Sequence, residues 1–415
     1  MSIAVITLAA LLAAIALSMI SRINVGLIAI AAAWIVGVYA AGEKPDAVLD
    51  GFPSSLFLTL AGTTLLFAVG ETNRSFNFLA TGAIRIIGRS RPLIPLLFFC
   101  IACAIAAAGP GAISAVALVV PLAATIGARS EIPPMLTALT VANGANAGNL
   151  SPISSVGIIA NSSMAKSGLA GYETDVFLAN FLAHLLVTAA VYVWYFRRIR
   201  GVSPQCGELA GVEPEPISRA QVITIVVLGI WILAVIFLKV HVGLSAFAAA
   251  SVLIVLRVAD EREIIKRVPW NVVLMVCGVS LLVAMVETHG GTSLFGSLIA
   301  AAATPATING VVAFITGAIS VYSSTSGVVL PAFLPTAPGI VESLGGGDPL
   351  QVALSINIGS SLVDVSPLST LGALCVASLA QEGGSRTLFN ALLAWGFAMT
   401  VVGALISLWL VPLIV

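Results

Sequence analysis

The chain has 415 residues, 59% hydrophobic and 9% charged. Soluble domains carry about 25% charged side chains, so a water-soluble globule is excluded. The 18 basic and 18 acidic residues cancel, and no Lys/Arg run could neutralise a row of phosphates, which excludes a nucleic-acid partner. Apolar runs recur along the whole length, each long enough to cross a hydrocarbon layer about 30 Å thick. The fold class expected is an all-α polytopic membrane protein embedded in a lipid bilayer.

In chain order, the stretch 3–20 lacks a basic leader and is longer than a signal-peptide core, so it reads as the first crossing. Further crossings are expected near 24–41, 54–70, 134–165, 176–196, 219–239, 242–258, 269–286, 349–380 and 387–412, ten in all. Two of these, 134–165 and 349–380, are too long for one straight helix. Gly, Asn, Asp and Ser-Pro at their centres predict helices broken at mid-membrane. The apolar stretches 92–127 and 306–340 carry the middles "AAAGPGAIS" and "YSSTSGVVLP" and read as re-entrant hairpins. The stretches 74–91 and 288–304 are expected in the interface, and 201–218, with Pro204, Pro214 and Pro216, is the expected cytoplasmic linker.

Cysteine and histidine chemistry is not encoded. Cys100, Cys103, Cys206, Cys277 and Cys375 are scattered, the Cys100/Cys103 pair has no second pair, and His184, His241 and His289 fall in no H-E-x-x-H pattern.

A shift of 215 to 217 residues superimposes the two halves, 1–200 and 219–415. Val25-Gly26-Leu27 returns as Val242-Gly243-Leu244, Pro53 as Pro269, Gly62 as Gly278, and Glu71-Thr72 as Glu287-Thr288. "SPISSVG" at 151–157 falls on "SPLSTLG" at 366–372, with Gly144 on Gly359. Five crossings and one hairpin per half make the repeat inverted. With that topology 15 of the 18 Lys/Arg residues gather on one side, the cytoplasmic one, leaving Lys44, Lys166 and Lys239 opposite. Both termini are then expected on the non-cytoplasmic side of an inner membrane. Inverted repeats with broken helices and midplane sites are secondary-transporter architecture.

Broken helices place polar backbone at mid-membrane, where it must line a cavity or bind something. Ser151 suits an N-cap and Pro152 a first turn, so a half-helix is predicted to start there with its positive end inward; Ser366 and Pro367 repeat this. Hairpin tips add helix starts at Gly111-Ala112 and Ser326-Gly327, and four converging positive ends suit an anion. The preceding half-helices end at Gly148-Asn149 and Val363-Asp364, where free carbonyls with the Asn149 and Asp364 side chains suit a small hard cation. The second tip, Ser323 to Ser326, has four hydroxyls; the first, Ala108-Gly109-Pro110-Gly111, has none and can bind only through backbone. Asp364 lies within the second break with no basic residue expected at its depth, and a charge there is a functional candidate by default. Glu71 and Glu287 sit at the ends of their crossings, as interfacial acids or coupling groups.

These features resemble the divalent anion:sodium symporters of the ion transporter superfamily, and "NGANAGNLSPISSVGIIAN" is similar to bacterial MatC-type malonate carriers. The resemblance implies a scaffold domain of crossings 1–3 and 6–8, a transport domain holding hairpins and broken helices, a homodimer and an elevator mechanism. In that family a Ser-Asn-Thr motif at each tip meets substrate carboxylate and sodium. Here Ser324-Thr325-Ser326 is similar to the second copy without its Asn, and Gly109-Pro110-Gly111 replaces the first. A short dianion such as malonate, held by backbone N–H groups and helix ends, fits this departure.

The resulting expectation is sodium-coupled uptake of a small dicarboxylate, not an enzyme. Substrate is expected at Gly109, Pro110, Gly111, Ala112, Asn149, Ser151, Pro152, Ser324, Thr325, Ser326, Ser366 and Pro367. Two Na+ sites are expected, one at Gly111, Asn146, Gly148 and Asn149, the other at Ser323, Thr325, Gly359 and Asp364. The rival readings are a proton-coupled anion exporter or sodium/proton antiporter titrating Asp364, an intramembrane serine protease using Ser324 or Ser326, and a passive channel.

Overall fold

The computed structural model describes residues 2–21, 23–79, 91–200, 216–321, 324–379 and 385–415. Among them there is no strand, and the chain is a polytopic helical membrane protein, as its composition requires. The expected linker over 201–215, most of the interfacial stretch 74–91, and Ser323 lie outside the described residues.

The first half runs α1 (Ile3–Ser21), α2 (Val25–Ile35, continued by a π turn to Ala40), α3 (Pro45–Asp50), α4 (Ser54–Thr72), α5 (Ile94–Ala107), α6 (Gly111–Arg129), α7 (Pro134–Gly148), α8 (Ser155–Lys166) and α9 (Glu173–Arg200). The second runs α10 (Arg219–Leu238), α11 (Val242–Val255), α12 (Glu261–Arg267), α13 (Trp270–Thr288), α14 (Gly291–Ala300), α15 (Ile308–Ser320), α16 (Thr325–Leu344), α17 (Pro349–Leu362), α18 (Thr370–Leu379) and α19 (Ser385–Ile414). Pro331, Pro335 and Pro338 remove backbone donors from α16, which accordingly passes through a π turn at Thr325–Val329 and a 3-10 turn at Leu334–Thr336.

The ten expected crossings fall on helices, and the two expected to break do so, 134–165 into α7 and α8 and 349–380 into α17 and α18. Among the described residues seven segments are long and apolar enough alone, and these include the hairpin arms Gly111–Ala128 and Thr325–Leu344. The stretches expected at 24–41 and 242–258 form helices of 11 residues, continued by the π turn, and 14 residues, while 3–20 and 219–239 form α1 and α10, of 19 and 20 residues. Length alone therefore does not separate a crossing from a re-entrant arm. The opposite arms do: α5 has 14 residues and α15 has 13, about 20 Å at 1.5 Å per residue, too short to span.

Glycines of the duplicated pattern sit where backbones touch. A Cβ on Gly278 would lie 2.2 Å from Gly26 O, and one on Gly62 would lie 2.4 Å from Gly243 O. Gly26 and Gly243 are register mates, as are Gly62 and Gly278, so the two contacts exchange under a pseudo-two-fold axis. They join α2 to α13 and α4 to α11, making one unit. In the other unit α5 packs on α7 through Gly144, whose Cβ would lie 2.4 Å from Phe99 O, and α15 packs on α17 through Gly359, 2.3 Å from Ala313 O. Small residues at such crossings let membrane helices approach without an aqueous hydrophobic drive. The units meet where α4 contacts α8 and α13 contacts the π turn of α16.

Candidate functional site

At the first tip the chain turns through Gly109 (φ +135°) and Gly111 (φ +81°), conformations that disfavour any side chain. A Cβ on Gly111 would lie 2.7 Å from Ser155 Oγ and 3.4 Å from Asn149 Oδ1, so its absence lets the first break reach the tip. The Ala112 N–H donates to Asn149 Oδ1 at 2.9 Å, and the Ser155 N–H to Gly109 O at 3.2 Å. At the second tip Ser324 Oγ accepts the Gly327 N–H at 3.0 Å, so the helix starts at Thr325, ahead of the expected Ser326-Gly327. Thr325 Oγ1 donates to Asp364 Oδ1 at 2.6 Å, lies 3.2 Å from Ser360 O, and is hydrogen-bonded to Ser320 Oγ.

The N-caps of the second half-helices are corrected by the structure. Ser154, not Ser151, caps α8: its extended backbone (φ −75°, ψ 152°) turns the hydroxyl to accept the Gly157 N–H at 3.0 Å. Ser369, not Ser366, does the same for α18 with the Gly372 N–H at 3.4 Å. Pro152 and Pro367 fall in the turn before the helix rather than in its first turn, and the start moves three residues on.

The free carbonyls expected at the breaks are also corrected. Gly148 O accepts the Ser151 N–H at 3.1 Å, and Asn149 O accepts the Gly157 N–H at 3.1 Å as well as the Ser154 hydroxyl. Val363 O accepts the Ser366 N–H at 2.9 Å, and Asp364 O accepts the Ser369 hydroxyl. Each half-helix ends in a closed loop, because buried carbonyls are partnered wherever the chain can turn to reach a donor. The oxygens left for a cation are side-chain ones. Asn146 Oδ1 is fully buried without a partner, and the Asp364 carboxylate is held by one hydroxyl. Such hard oxygen donors suit an alkali cation. Among the described residues no three His, Cys, Asp or Glu side chains gather, so a zinc-type centre is not built.

One cavity of about 920 Å³ brings both tips and both breaks together. Of the expected residues, Pro110, Gly111, Ala112 and Asn149 line it from the first half, and Ser324, Thr325, Ser326 and Asp364 from the second. Gly109, Ser151, Pro152, Ser366 and Pro367 do not line it, and neither do Asn146, Gly148 and Gly359. In the places of the expected Ser-Pro residues stand Ser369, the cap of α18, and Ser155 and Thr370, each of which follows its cap. The caps Ser154 and Ser369 are the fourth residues of the duplicated S-P-x-S runs, and Ser155 and Thr370 the fifth.

The cavity extends to Ser18, Asn77 and Arg267, on the side to which most basic residues were assigned. Glu71 lines it, hydrogen-bonded to Ser114 of α6 and within electrostatic reach of Arg267. Glu287, its register mate, faces Lys166 instead, and neither lines the cavity. Arg267 carried no sequence signal, being one more basic residue in a polar stretch.

The fold and cavity define a class, polytopic helical membrane proteins in which two half-sites, each a hairpin tip with its broken helix, meet in one cavity. The chain is similar in fold to the Alcanivorax borkumensis YdaH transporter, with 15% identity, a TM-score of 0.58, and coverage of 88% of this chain and 87% of that one. It is likewise similar to Neisseria gonorrhoeae MtrF, of a class of antimetabolite efflux pumps, with 14% identity, a TM-score of 0.57, and 90% and 83% coverage. Residues 1–149 match the family described as dicarboxylate carrier protein MatC N-terminus. No curated protein matches the sequence.

Proposed function

We propose that the chain is a secondary transporter that takes up a small dicarboxylate, malonate in the first instance, together with sodium. The observation that carries this reading is the pairing of each tip with its own break inside one cavity, the second through Thr325 and Asp364 at 2.6 Å. The first half offers a carboxylate backbone and amide groups around Gly111, Ala112 and Asn149, with the Ser155 hydroxyl beside them. The second half offers the hydroxyls of Ser324, Ser326 and Ser369 beside an acid. A dianion and Asp364 repel each other, and a cation between them removes the repulsion, so anion and cation bind better together than apart. Each bound cation also cancels one charge that would otherwise pass lipid when the loaded unit slides past the scaffold, as in an elevator. The similarity of the amino-terminal third to a dicarboxylate carrier family supports the substrate class.

The test is calorimetric binding of malonate to purified protein in sodium and again in potassium. Heat in sodium alone is expected, and equal heats in both salts would remove the sodium coupling. No binding in either salt would remove the substrate. A second reading, proton-coupled export, draws on the similarity to an efflux pump and on Asp364 as an acid in the cavity; transport that follows pH and ignores sodium would select it.

A further inference from the structure

Beside the breaks, off the cavity, four polar side chains with almost no exposure meet: Asn146, Asn180, His184 and Ser361. Asn146 and Ser361 are register mates, each three residues before its break residue, Asn149 or Asp364. Asn180 comes from α9, outside both broken helices. Its Nδ2 donates to Asn146 O at 2.7 Å, and its Oδ1 accepts from Ser361 Oγ at 2.8 Å. Asn146 Nδ2 closes the ring on Ser361 O at 3.3 Å. Asn146 O is also the carbonyl that receives the Asn149 N–H at 3.1 Å, and Asn149 Oδ1 in turn receives the first tip's Ala112 N–H. His184 Nδ1 meets the Asn180 carbonyl at 2.9 Å, fixing the turn that aims the amide.

A continuous hydrogen-bonded path thus runs from the first tip to the turn before Asp364, and Asn180 is its centre. A primary amide is suited to this place because it offers a donor to one half and an acceptor to the other in one rigid plane. The second repeat carries Trp395 in the matching register, so the link is made once rather than twice.

We infer that Asn180 is a positioning residue that couples the two half-sites, so that ordering one break by its ligand orders the other. This rests on the two-half-site reading above. In a buried network each bond is strengthened by its neighbours, and cutting the centre loosens both ends.

The test compares the parent with Asn180→Ala, Ser361→Ala and the double variant, by hydrogen exchange of purified protein and by malonate uptake into vesicles. In Asn180→Ala, exchange at 146–150 and at 361–366 is expected to quicken together. The KM for malonate is expected to rise about tenfold, the order expected from one buried hydrogen bond, with maximal uptake per folded transporter changed less than about twofold. Adding Ser361→Ala should change little more, since both substitutions cut the same bond. A residue that merely supports the fold would lower maximal uptake and leave KM alone. Unchanged exchange at either break, or an unchanged KM in a transporting parent, overturns the inference. A parent that takes up no malonate counts against the proposed function, and exchange then decides on Asn180 alone. Should Asn180→Ala fail to accumulate, Ser361→Ala, which keeps the bond to Asn146, is read by the same exchange at both breaks.

Discussion

Thr325 Oγ1 donates to Asp364 Oδ1 across 2.6 Å and so ties the second hairpin tip to the second broken helix. In the first repeat Asn149 stands at the register of Asp364, and its Oδ1 accepts the Ala112 N–H at 2.9 Å. The two halves make the same tip-to-break bond with different chemistry, a carboxylate and hydroxyl in one, a neutral amide and backbone in the other. Of the two tip-to-break bonds only the second places a carboxylate, which is where a cation is expected to bind first.

Asp364→Asn should therefore remove sodium-dependent malonate binding while leaving the protein folded, since the amide still accepts from Thr325. Thr325→Val should weaken it by about tenfold, because a hydrogen bond to a charged group contributes about 1.5–3 kcal/mol. Calorimetry in sodium, repeated at several concentrations, reads both. Full binding by Asp364→Asn would move the cation elsewhere.

Much of this was legible in the sequence. The 215-residue register puts Asn149 on Asp364 and Gly144 on Gly359, because duplicated backbone contacts keep duplicated glycines. The Gly/Pro- and Ser/Thr-rich middles of 92–127 and 306–340 mark where the chain turns back, because only such residues suit a tight reversal inside an apolar stretch. What stayed hidden was the internal geometry of the breaks. Ser151-Pro152 matches a helix start by residue type, yet the chain closes a turn at Gly148–Ser151 first, and Ser154 with ψ 152° is the residue placed to cap. Asn180 was invisible because it belongs to a long apolar helix far in sequence from both breaks, and only tertiary packing turns its amide toward them.

The displaced caps make a stability prediction. Ser154→Ala should destabilise by about 1 kcal/mol, the usual worth of an N-cap, and Ser369→Ala by a similar amount. Ser151→Ala, whose hydroxyl does not cap α8, should have a smaller effect. Thermal unfolding in detergent, with sodium and malonate absent, separates the two positions. Equal losses for Ser151→Ala and Ser154→Ala would restore the start one turn earlier.

Gly111 and Gly168 both have positive φ, +81° and +84°, but only Gly111 has neighbours where a Cβ would go. Gly168→Ala should show backbone strain alone, about 1–2 kcal/mol for a left-handed non-glycine residue, with malonate affinity intact. Gly111→Ala adds a methyl 2.7 Å from Ser155 Oγ and displaces the tip from Asn149, so binding should fall at least about tenfold beyond any shared loss of stability. Similar binding by the two variants would mean that the first tip is not part of the site.

The contact between Gly26 and Gly278 lies in the other unit, and its effects should be separable from those at the tips. A Cβ on Gly278 would sit 2.2 Å from Gly26 O, closer than any relaxation of side chains can mend, so α2 and α13 must part. Gly278→Ala should lower stability by about 1–3 kcal/mol, as overpacking does, and Gly62→Ala, its register mate against Gly243, by a comparable amount. Because none of Gly26, Gly62, Gly243 and Gly278 lines the cavity, the folded fraction of each variant should bind malonate with the parent's affinity. Thermal unfolding gives the first quantity and calorimetry on the folded fraction the second. An affinity loss as large as that of Gly111→Ala would show that the glycine-packed unit shapes the site directly, and that the two units do not behave as separate bodies.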